Sequence, residues 1–203
     1  ALILRACRAV QPMTAGWVAA APESLPPQLG QRLQEGVEAL RPLGFEPALS
    51  ARNTAVPSFA QIQQAIVELR SPAEPSIRAF VSGLQMQFRA QTSITHAFEF
   101  TSTTGRGQNI TTTAMPGLGD HQSDHSLAFR FPQLRDPALL LEAHRRLVPR
   151  HGGARPNPVP SIKLLNDTWR RGVDELLAKG SVRVSADGTT FRPRLAPALL
   201  DLA

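Results

Sequence analysis

Apolar and polar positions alternate most clearly between Ser93 and Met115. A period of two is typical of a strand with one buried face. Gly105 and Gly107 lie within this segment and can adopt a positive φ, which predicts a chain reversal. The threonine-rich stretch after them suits a returning strand. The sequence therefore predicts a β-hairpin. Its first arm alternates Ile94, His96, Phe98 and Phe100 with Thr95, Ala97, Glu99 and Thr101.

The register of this hairpin determines which side chains meet. We expect Thr104 to lie opposite Asn109, and Phe100 therefore opposite Thr113. In this register His96 lies beside the loop after the return strand, which contains two of the chain's five histidines.

Three further segments have strand character. The first is Ile62–Leu69, where a strand is favoured and a short helix is the alternative. The second lies within Ser76–Ala90, and the third has Leu127, Phe129 and Phe131 on one side. Together with the hairpin they predict an antiparallel sheet of four or five strands with one apolar face.

Three segments show helical periodicity. Leucine and valine recur every three or four residues from Leu29 to Leu40, which predicts an amphipathic helix that ends before Pro42. Asp136 followed by Pro137 is a strong signal for a helix start. A third helix is predicted from Ser161 to Lys179 with Gly180 as its stop. A second hairpin follows around Asp187 and Gly188, and a short apolar helix is predicted after it.

These elements predict the α+β class, with an antiparallel sheet of four or five strands and two or three amphipathic helices packed on one face. A C-terminal unit of one helix and one hairpin completes the prediction. The domain organisation that we expect is an extended lead-in or membrane-proximal linker over residues 1–27, a core over 28–151 and a C-terminal subdomain over 152–203 that packs on the core. The Gly- and Pro-rich segment after His151 marks the second boundary.

Composition limits the classes of function. A chain of 203 residues with 42% hydrophobic content can bury a core. The net charge of +6 resembles that of a nucleic-acid-binding protein, but the basic residues are scattered along the chain. There is no tyrosine and aromatic residues are only 5%, so few rings could stack on single-stranded bases. The single cysteine, Cys7, excludes an internal disulfide and a cysteine-rich zinc site.

The first residues suggest a membrane-proximal start. Arg5 and Arg8 follow the apolar segment Leu2–Leu4, as basic residues do on the cytoplasmic side of a membrane helix. We therefore expect a tether before residue 1, a soluble domain on the cytoplasmic side, and contact of Arg5 and Arg8 with anionic lipid. An ordinary N-terminal strand is the alternative.

The segment Leu176–Arg194 resembles the end of a winged-helix module, in which a helix stops at glycine and a basic hairpin forms the wing. The proline-rich loop before the third helix departs from that pattern. The resemblance implies nucleic-acid contact through a group of basic residues. They are Arg170, Arg171, Arg183, Arg192 and Arg194.

The order of elements along the chain is similar to that of bacterial single-span membrane-anchored α+β proteins. It comprises an apolar and then basic start, a helix ending in Leu43-Gly44-Phe45, the threonine-rich hairpin, the helix containing His144 and a terminal hairpin. This resemblance implies a tethered soluble domain. It implies no particular activity.

The densest group of ligand-type side chains lies in the loop before the third strand segment. Asp120, His121, Asp124 and His125 could bind zinc or another transition metal, and the predicted register adds His96. Such a site would suit a metal-dependent hydrolase. A solvated polar loop between two strands is the alternative interpretation.

Three functional hypotheses follow. The first is a non-enzymatic binding or assembly module that needs no cofactor, is tethered to a membrane, and engages a protein partner or a larger membrane complex. The second is nucleic-acid binding through the basic C-terminal unit, and the third is the metal-dependent hydrolase. His144 and His151, on one face of the second predicted helix, are interpreted as packing and cap residues.

Overall fold

The computed structural model describes residues 11–13, 16–55, 61–88, 91–115 and 125–193. Its helices are α1 (Pro27–Leu40), α2 (Pro137–Arg150) and α3 (Ile162–Ala178), with short 3-10 turns at Pro22–Ser24 and Arg41–Leu43. The strands are β1 (Gln11–Pro12), β2 (Trp17–Ala19), β3 (Glu46–Asn53), β4 (Gln61–Arg70), β5 (Arg78–Phe88), β6 (Gln91–Thr103), β7 (Asn109–Thr113), β8 (Ser126–Arg130), β9 (Val182–Val184) and β10 (Thr190–Pro193).

Seven strands form one large mixed sheet in the order β2-β3-β4-β5-β6-β7-β8. All neighbours are antiparallel except β7 and β8, which are parallel. The α+β class is confirmed, but the predicted antiparallel sheet of four or five strands is wrong. The sequence pattern missed β2 and β3 because they are short or irregular in burial, with Ala51 the buried residue of β3.

The helices divide between the two faces of the large sheet, whereas the prediction placed them on one face. Helices α1 and α2 pack with Val81, Phe98 and Phe100 on what we call the α1 face. Helix α3 packs through Ile162 and Leu165 on the other side, the α3 face. Both faces of the central strands are therefore partly covered.

A small sheet joins the two ends of the described chain in the order β1-β10-β9. The amide of Met13 donates to the carbonyl of Thr189 at 2.9 Å, and Gln11 pairs with Phe191. The predicted C-terminal helix-hairpin unit therefore needs correction, because the N-terminal segment supplies a third strand to it. The terminal helix predicted after this hairpin lies outside the described residues.

Helix α1 approaches strand β5 of the large sheet closely at two glycines, Gly36 on the helix and Gly83 on the strand. A Cβ on Gly36 would lie 2.5 Å from Val81 Cγ1, and one on Gly83 would lie 2.7 Å from Leu29 Cδ1. The predicted apolar stripe of this helix is buried, as expected. Gly36 weakens the isolated helix, and it also allows the helix to dock.

The hairpin of β6 and β7 differs from the predicted register by one residue. Asn109 pairs with Thr103, and Phe100 with Thr112. Gly107 has a φ of 83°, and its amide donates to the carbonyl of Thr104 at 2.9 Å. A glycine with positive φ at the end of such a turn inserts a bulge, which shifts the pairing by one residue.

The helix starts follow their sequence signals. Asp136 precedes α2 and its carboxylate accepts from the Ala138 amide at 2.8 Å, so this predicted cap is confirmed. Ser161 caps α3, accepting from the Leu164 amide at 3.1 Å. These caps fix the first turns of the two helices on opposite sides of the large sheet.

Candidate functional site

Helix α3 is attached to the rest of the fold near its start and toward its end. Near its start, the Asn166 side chain bonds to the backbone of Trp17 in β2. Toward its end, Val173 packs with Val182 and Phe191 of the small sheet. Between helix and sheet lies a cavity of about 460 Å³, which we call the α3 cleft. Its volume is in the range of small-molecule sites.

One wall of the α3 cleft is apolar. Residues one helical turn apart on α3 share a face, which explains why this wall is continuous. It is formed by Leu165, Trp169, Val173 and Leu176, with Ile66 and Phe80 on the sheet beneath them.

The floor of the α3 cleft is polar because alternate residues of β5, β6 and β7 project from the α3 face. Strand β5 contributes Arg78 and Ser82, and β6 contributes Glu99 and Thr101. Strand β7 contributes Asn109 and Thr111. The cleft therefore combines an apolar wall with a floor of charged and hydroxyl groups.

Arg78 is the most unusual residue of this floor. Its side chain is only 6% exposed and lies over the ring of Phe80, with the guanidinium carbon 5.5 Å from the ring centroid. Its buried Nε has no hydrogen-bond partner among the residues that the structure describes. Burial lowers the pKa of Arg78, and the Glu68 carboxylate opposes that shift.

Glu68 already has a cationic partner. It is fully buried, and its Oε1 lies 2.8 Å from Arg70 Nη2, but neither carboxylate oxygen has a partner of hydrogen-bond geometry among the described residues. Burial raises the pKa of Glu68, while Arg78 and Arg70 act in the opposite direction. Because Glu68 lies opposite Phe80 in the sheet, it is diagonal to Arg78.

Glu99 lies on the other side of Arg78. It is half-buried, and the Thr101 hydroxyl donates to its Oε1 at 3.4 Å. Thr101 also shares a hydrogen bond of 3.1 Å with Thr111. Burial raises the pKa of Glu99, opposed by Arg78 and Arg130. The protonated carboxyl is therefore favoured more than at an exposed glutamate.

Comparison with known proteins assigns none of this chemistry. No family model, curated protein or solved structure matches the chain. The chemistry of the α3 cleft therefore has to be inferred from its side chains. A buried arginine whose Nε has no hydrogen-bond partner, beside an apolar wall, is suited to binding a ligand that is polar at one end.

A second polar group lies within the core of the α1 face. His144 Nε2 is 2.9 Å from the Ser102 hydroxyl, and Nδ1 is 2.9 Å from the Thr112 hydroxyl. A serine beside a histidine is the arrangement of an activated nucleophile. Here Ser102 and His144 are both 0% exposed, so the pair belongs to the core. Burial lowers the pKa of His144 to about 4, against the opposing effect of Glu74.

The predicted metal ligands are only partly described. Asp120, His121 and Asp124 lie outside the described residues, so their role stays a prediction. His96 and His125 are both exposed and are not brought together. His125 lies beside the start of β7, where its carbonyl accepts from Asn109. Asn109 pairs with Thr103, seven residues along β6 from His96, and at the usual rise of a strand this separation is roughly 23 Å.

The physical reason for this separation is the parallel pairing of β7 and β8. Because Ser126 pairs with Asn109, the chain returns to the start of β7 before β8 begins. An antiparallel β8 would have begun at the other end of β7. In the part of the chain that the structure describes, no group of three or more His, Cys, Asp and Glu residues could hold a metal ion.

The predicted basic residues lie on two neighbouring elements. Arg170 and Arg171 are exposed on α3, and Arg183 is exposed on β9. The backbone of Arg192 pairs with that of Arg183, and Arg194 lies outside the described residues. Nucleic-acid contact by this group stays a prediction.

The predicted membrane-proximal residues, Arg5 and Arg8, also lie outside the described residues. Among the helices of the described ranges, none combines the length and the apolar character that crossing a bilayer requires. The tether and its orientation stay predictions.

Sequence reasoning did not single out Arg78, Glu68 or Glu99. One signal was present, because Glu68 interrupts the apolar run from Ala65 to Leu69, and a carboxylate in a buried strand needs a cationic partner. The identity of that partner depends on the pairing of β4 with β5. Strand pairing was not available from the pattern of single strands.

Proposed function

We propose that this protein is a non-catalytic binding domain whose ligand site is the α3 cleft. The observation that supports the proposal is Arg78, which lines a cavity of about 460 Å³ and is 6% exposed, and whose buried Nε has no hydrogen-bond partner among the described residues. Buried polar groups in folded proteins are almost always paired. A ligand with a polar group would supply the missing partner.

The wall opposite Arg78 supports the same proposal. Leu165, Trp169 and Val173 present apolar surface to the cleft, and burial of such surface would drive ligand binding. The proposal retains the first functional hypothesis, a binding module without catalysis. The proposal adds that the ligand is a small molecule bound in the α3 cleft.

A substitution that fills the cleft provides the test. Gly172 lines the cavity, and a Cβ added to it would meet no atom within 4 Å. Gly172→Leu therefore places a side chain in the cleft without a clash at its Cβ. Gly172→Ala is the matched control, because it makes the same gain in helix propensity with little added volume.

The probe is phenylnaphthylamine, an uncharged dye whose fluorescence rises in apolar sites. Wild-type protein and Gly172→Ala are expected to bind it, whereas Gly172→Leu is expected to bind it at least tenfold more weakly and to remain folded. Equal binding by all three proteins, or no binding by any of them, would contradict the proposal.

Nucleic-acid binding is a second candidate, and one observation favours it. Helix α3 and the small sheet share a cluster of Val173, Val182 and Phe191, so the exposed Arg170, Arg171 and Arg183 are carried on elements packed together. The test is retention on immobilised double-stranded DNA over a salt gradient. Replacing the three arginines with glutamine should reduce both the retention and its salt dependence if they contact phosphate.

A further inference from the structure

We propose that the ligand of the α3 cleft is an amphipathic carboxylate, whose acid group accepts hydrogen bonds from Arg78 and whose apolar part packs against the α3 wall. This inference rests on the proposed function, because it assigns a chemical class to the same site.

The first argument is the kind of group that lacks a partner. Arg78 Nε and Trp169 Nε1 are both buried N–H donors without a hydrogen-bond partner among the described residues, and both residues line the cavity. A donor needs an acceptor. A carboxylate carries only acceptors when ionised, and it matches the planar guanidinium of arginine.

The second argument is the balance of charge. The Glu68 carboxylate forms an ion pair with Arg70, although neither of its buried oxygens has a partner of hydrogen-bond geometry among the described residues, and Glu99 is the other acid next to Arg78. The charges of Arg70 and Arg171 both lower the pKa of Arg78, and the charge of Arg130 lowers the pKa of Glu99. Arginines therefore outnumber glutamates around the charged end of the cleft. A negatively charged group would be attracted there, and a cation would be repelled.

The third argument is the shape of the apolar surface. Phe80 lies directly beside the Arg78 guanidinium, and Leu165 and Trp169 face the cleft from α3. A ligand with its acid group at Arg78 can extend an alkyl or aromatic part along this surface. A small hydrophilic anion would leave the apolar wall in contact with water, so the geometry favours a molecule with both characters.

The matched probes are decanoate and decanol, which share one alkyl chain and differ in charge at the head group. Each is used at neutral pH, below its aggregation concentration, to displace bound phenylnaphthylamine from the protein. In the wild type we expect half-displacement at a decanoate concentration about tenfold lower than that of decanol. Equal concentrations would overturn the inference and leave the proposed binding function intact.

Two variants assign the preference to Arg78. From Arg78→Gln, decanoate and decanol are expected to displace the dye at equal concentrations. From Arg41→Gln, on the opposite side of the sheet, decanoate is expected to keep its preference over decanol. If Arg78→Gln does not fold, Arg78→Lys is used, because it keeps the charge but loses the planar fork. This variant is expected to reduce the preference severalfold. An unchanged preference in a folded Arg78 variant would overturn the inference.

The location is checked with Gly172→Leu, which is expected to weaken decanoate binding as measured directly by calorimetry. Loss of dye and decanoate binding together supports the α3 cleft as the shared site. If decanoate still binds to this variant with wild-type affinity, the carboxylate site lies elsewhere and the inference is wrong. If the dye fails to bind to the wild type, the proposed function itself is wrong.

Discussion

The side-chain amide of Asn166 pairs with the backbone of Trp17 as a neighbouring strand would. Its Oδ1 accepts from the Trp17 amide at 3.2 Å, and its Nδ2 donates to the Trp17 carbonyl at 3.1 Å. Trp17 begins β2, which is an edge strand of the large sheet. Unpaired edge groups can recruit other chains, so this contact both protects the edge and fixes α3 across the sheet.

The first prediction concerns this contact. Asn166→Ala removes both hydrogen bonds and is expected to lower the free energy of unfolding by about 1–3 kcal/mol. Asn166→Asp keeps an acceptor for the Trp17 amide but places a carboxylate against the Trp17 carbonyl, so it should also destabilise the protein. Urea unfolding measures both effects. Hydrogen exchange at the Trp17 amide should become faster in the alanine variant, and unchanged exchange would argue against the contact.

A second prediction compares two glycines of α1. Gly30→Ala is expected to increase stability by up to about 1 kcal/mol, since alanine favours the helix. The nearest atom to its added Cβ would be the Pro22 carbonyl oxygen at 3.4 Å. Gly36→Ala should instead cost about 1–3 kcal/mol, because its Cβ would lie 2.5 Å from Val81 Cγ1. Thermal unfolding of both variants is the measurement, and a stabilised Gly36→Ala would show that α1 does not dock as described.

A third prediction concerns pH. The pKa of His144 is lowered by burial from 6.5 to about 4, so on acidification the unfolded state binds this proton first. The His144 contribution to stability is therefore constant above about pH 6.5 and is lost progressively down to about pH 4, by about 3 kcal/mol in total. Urea unfolding at several pH values measures the loss.

The control for this pH dependence is a pair of histidine variants. His144→Gln should remove the part of the stability loss between about pH 6.5 and about pH 4 that is due to His144. His96→Gln, at an exposed position, should retain it. Identical pH profiles for the wild type and His144→Gln would show that this imidazole titrates normally. The difference between variants is needed because buried Glu68 and half-buried Glu99, whose pKa values are both raised by burial, contribute with the opposite sign.

A fourth prediction uses the two caps. Asp136→Ala is expected to cost about 1 kcal/mol, because it removes the acceptor of the Ala138 amide at 2.8 Å. Ser161→Ala removes the acceptor of the Leu164 amide and should have a cost of similar size. Denaturant unfolding measures both. No change for Asp136→Ala would mean that this carboxylate does not stabilise the start of α2.

The elements that depend on neighbours in sequence were predictable. The helix α1 was indicated by its apolar period, α2 by Asp136 and Pro137, and the reversal between β6 and β7 by its glycines. The strand assigned to Ile62–Leu69 is confirmed as part of β4. These signals act over a few residues, through dihedral preferences, caps and side-chain period, so they are present in the sequence itself.

The arrangement of these elements was decided by tertiary contacts. The parallel pairing of β7 with β8 and the addition of β2 and β3 depend on strands that are distant in sequence. The one-residue shift of the hairpin depends on how the turn closes at Gly107. A shift of one residue in the pairing register exchanges the two faces of a strand. Alternation of apolar and polar residues shows that a strand has two different faces, but it does not determine which residues of the neighbouring strand it pairs with.

The candidate site shows the same division. The sequence by itself determined that β6 carries Glu99 and Thr101 on one face and Phe98 on the other. Only the tertiary structure placed Arg78 of β5 diagonal to both Glu68 and Glu99, which flank Phe80, and set α3 above them. The physical reason is that alternation along a strand is fixed by local backbone geometry, whereas the charge that surrounds a side chain depends on pairing between distant segments.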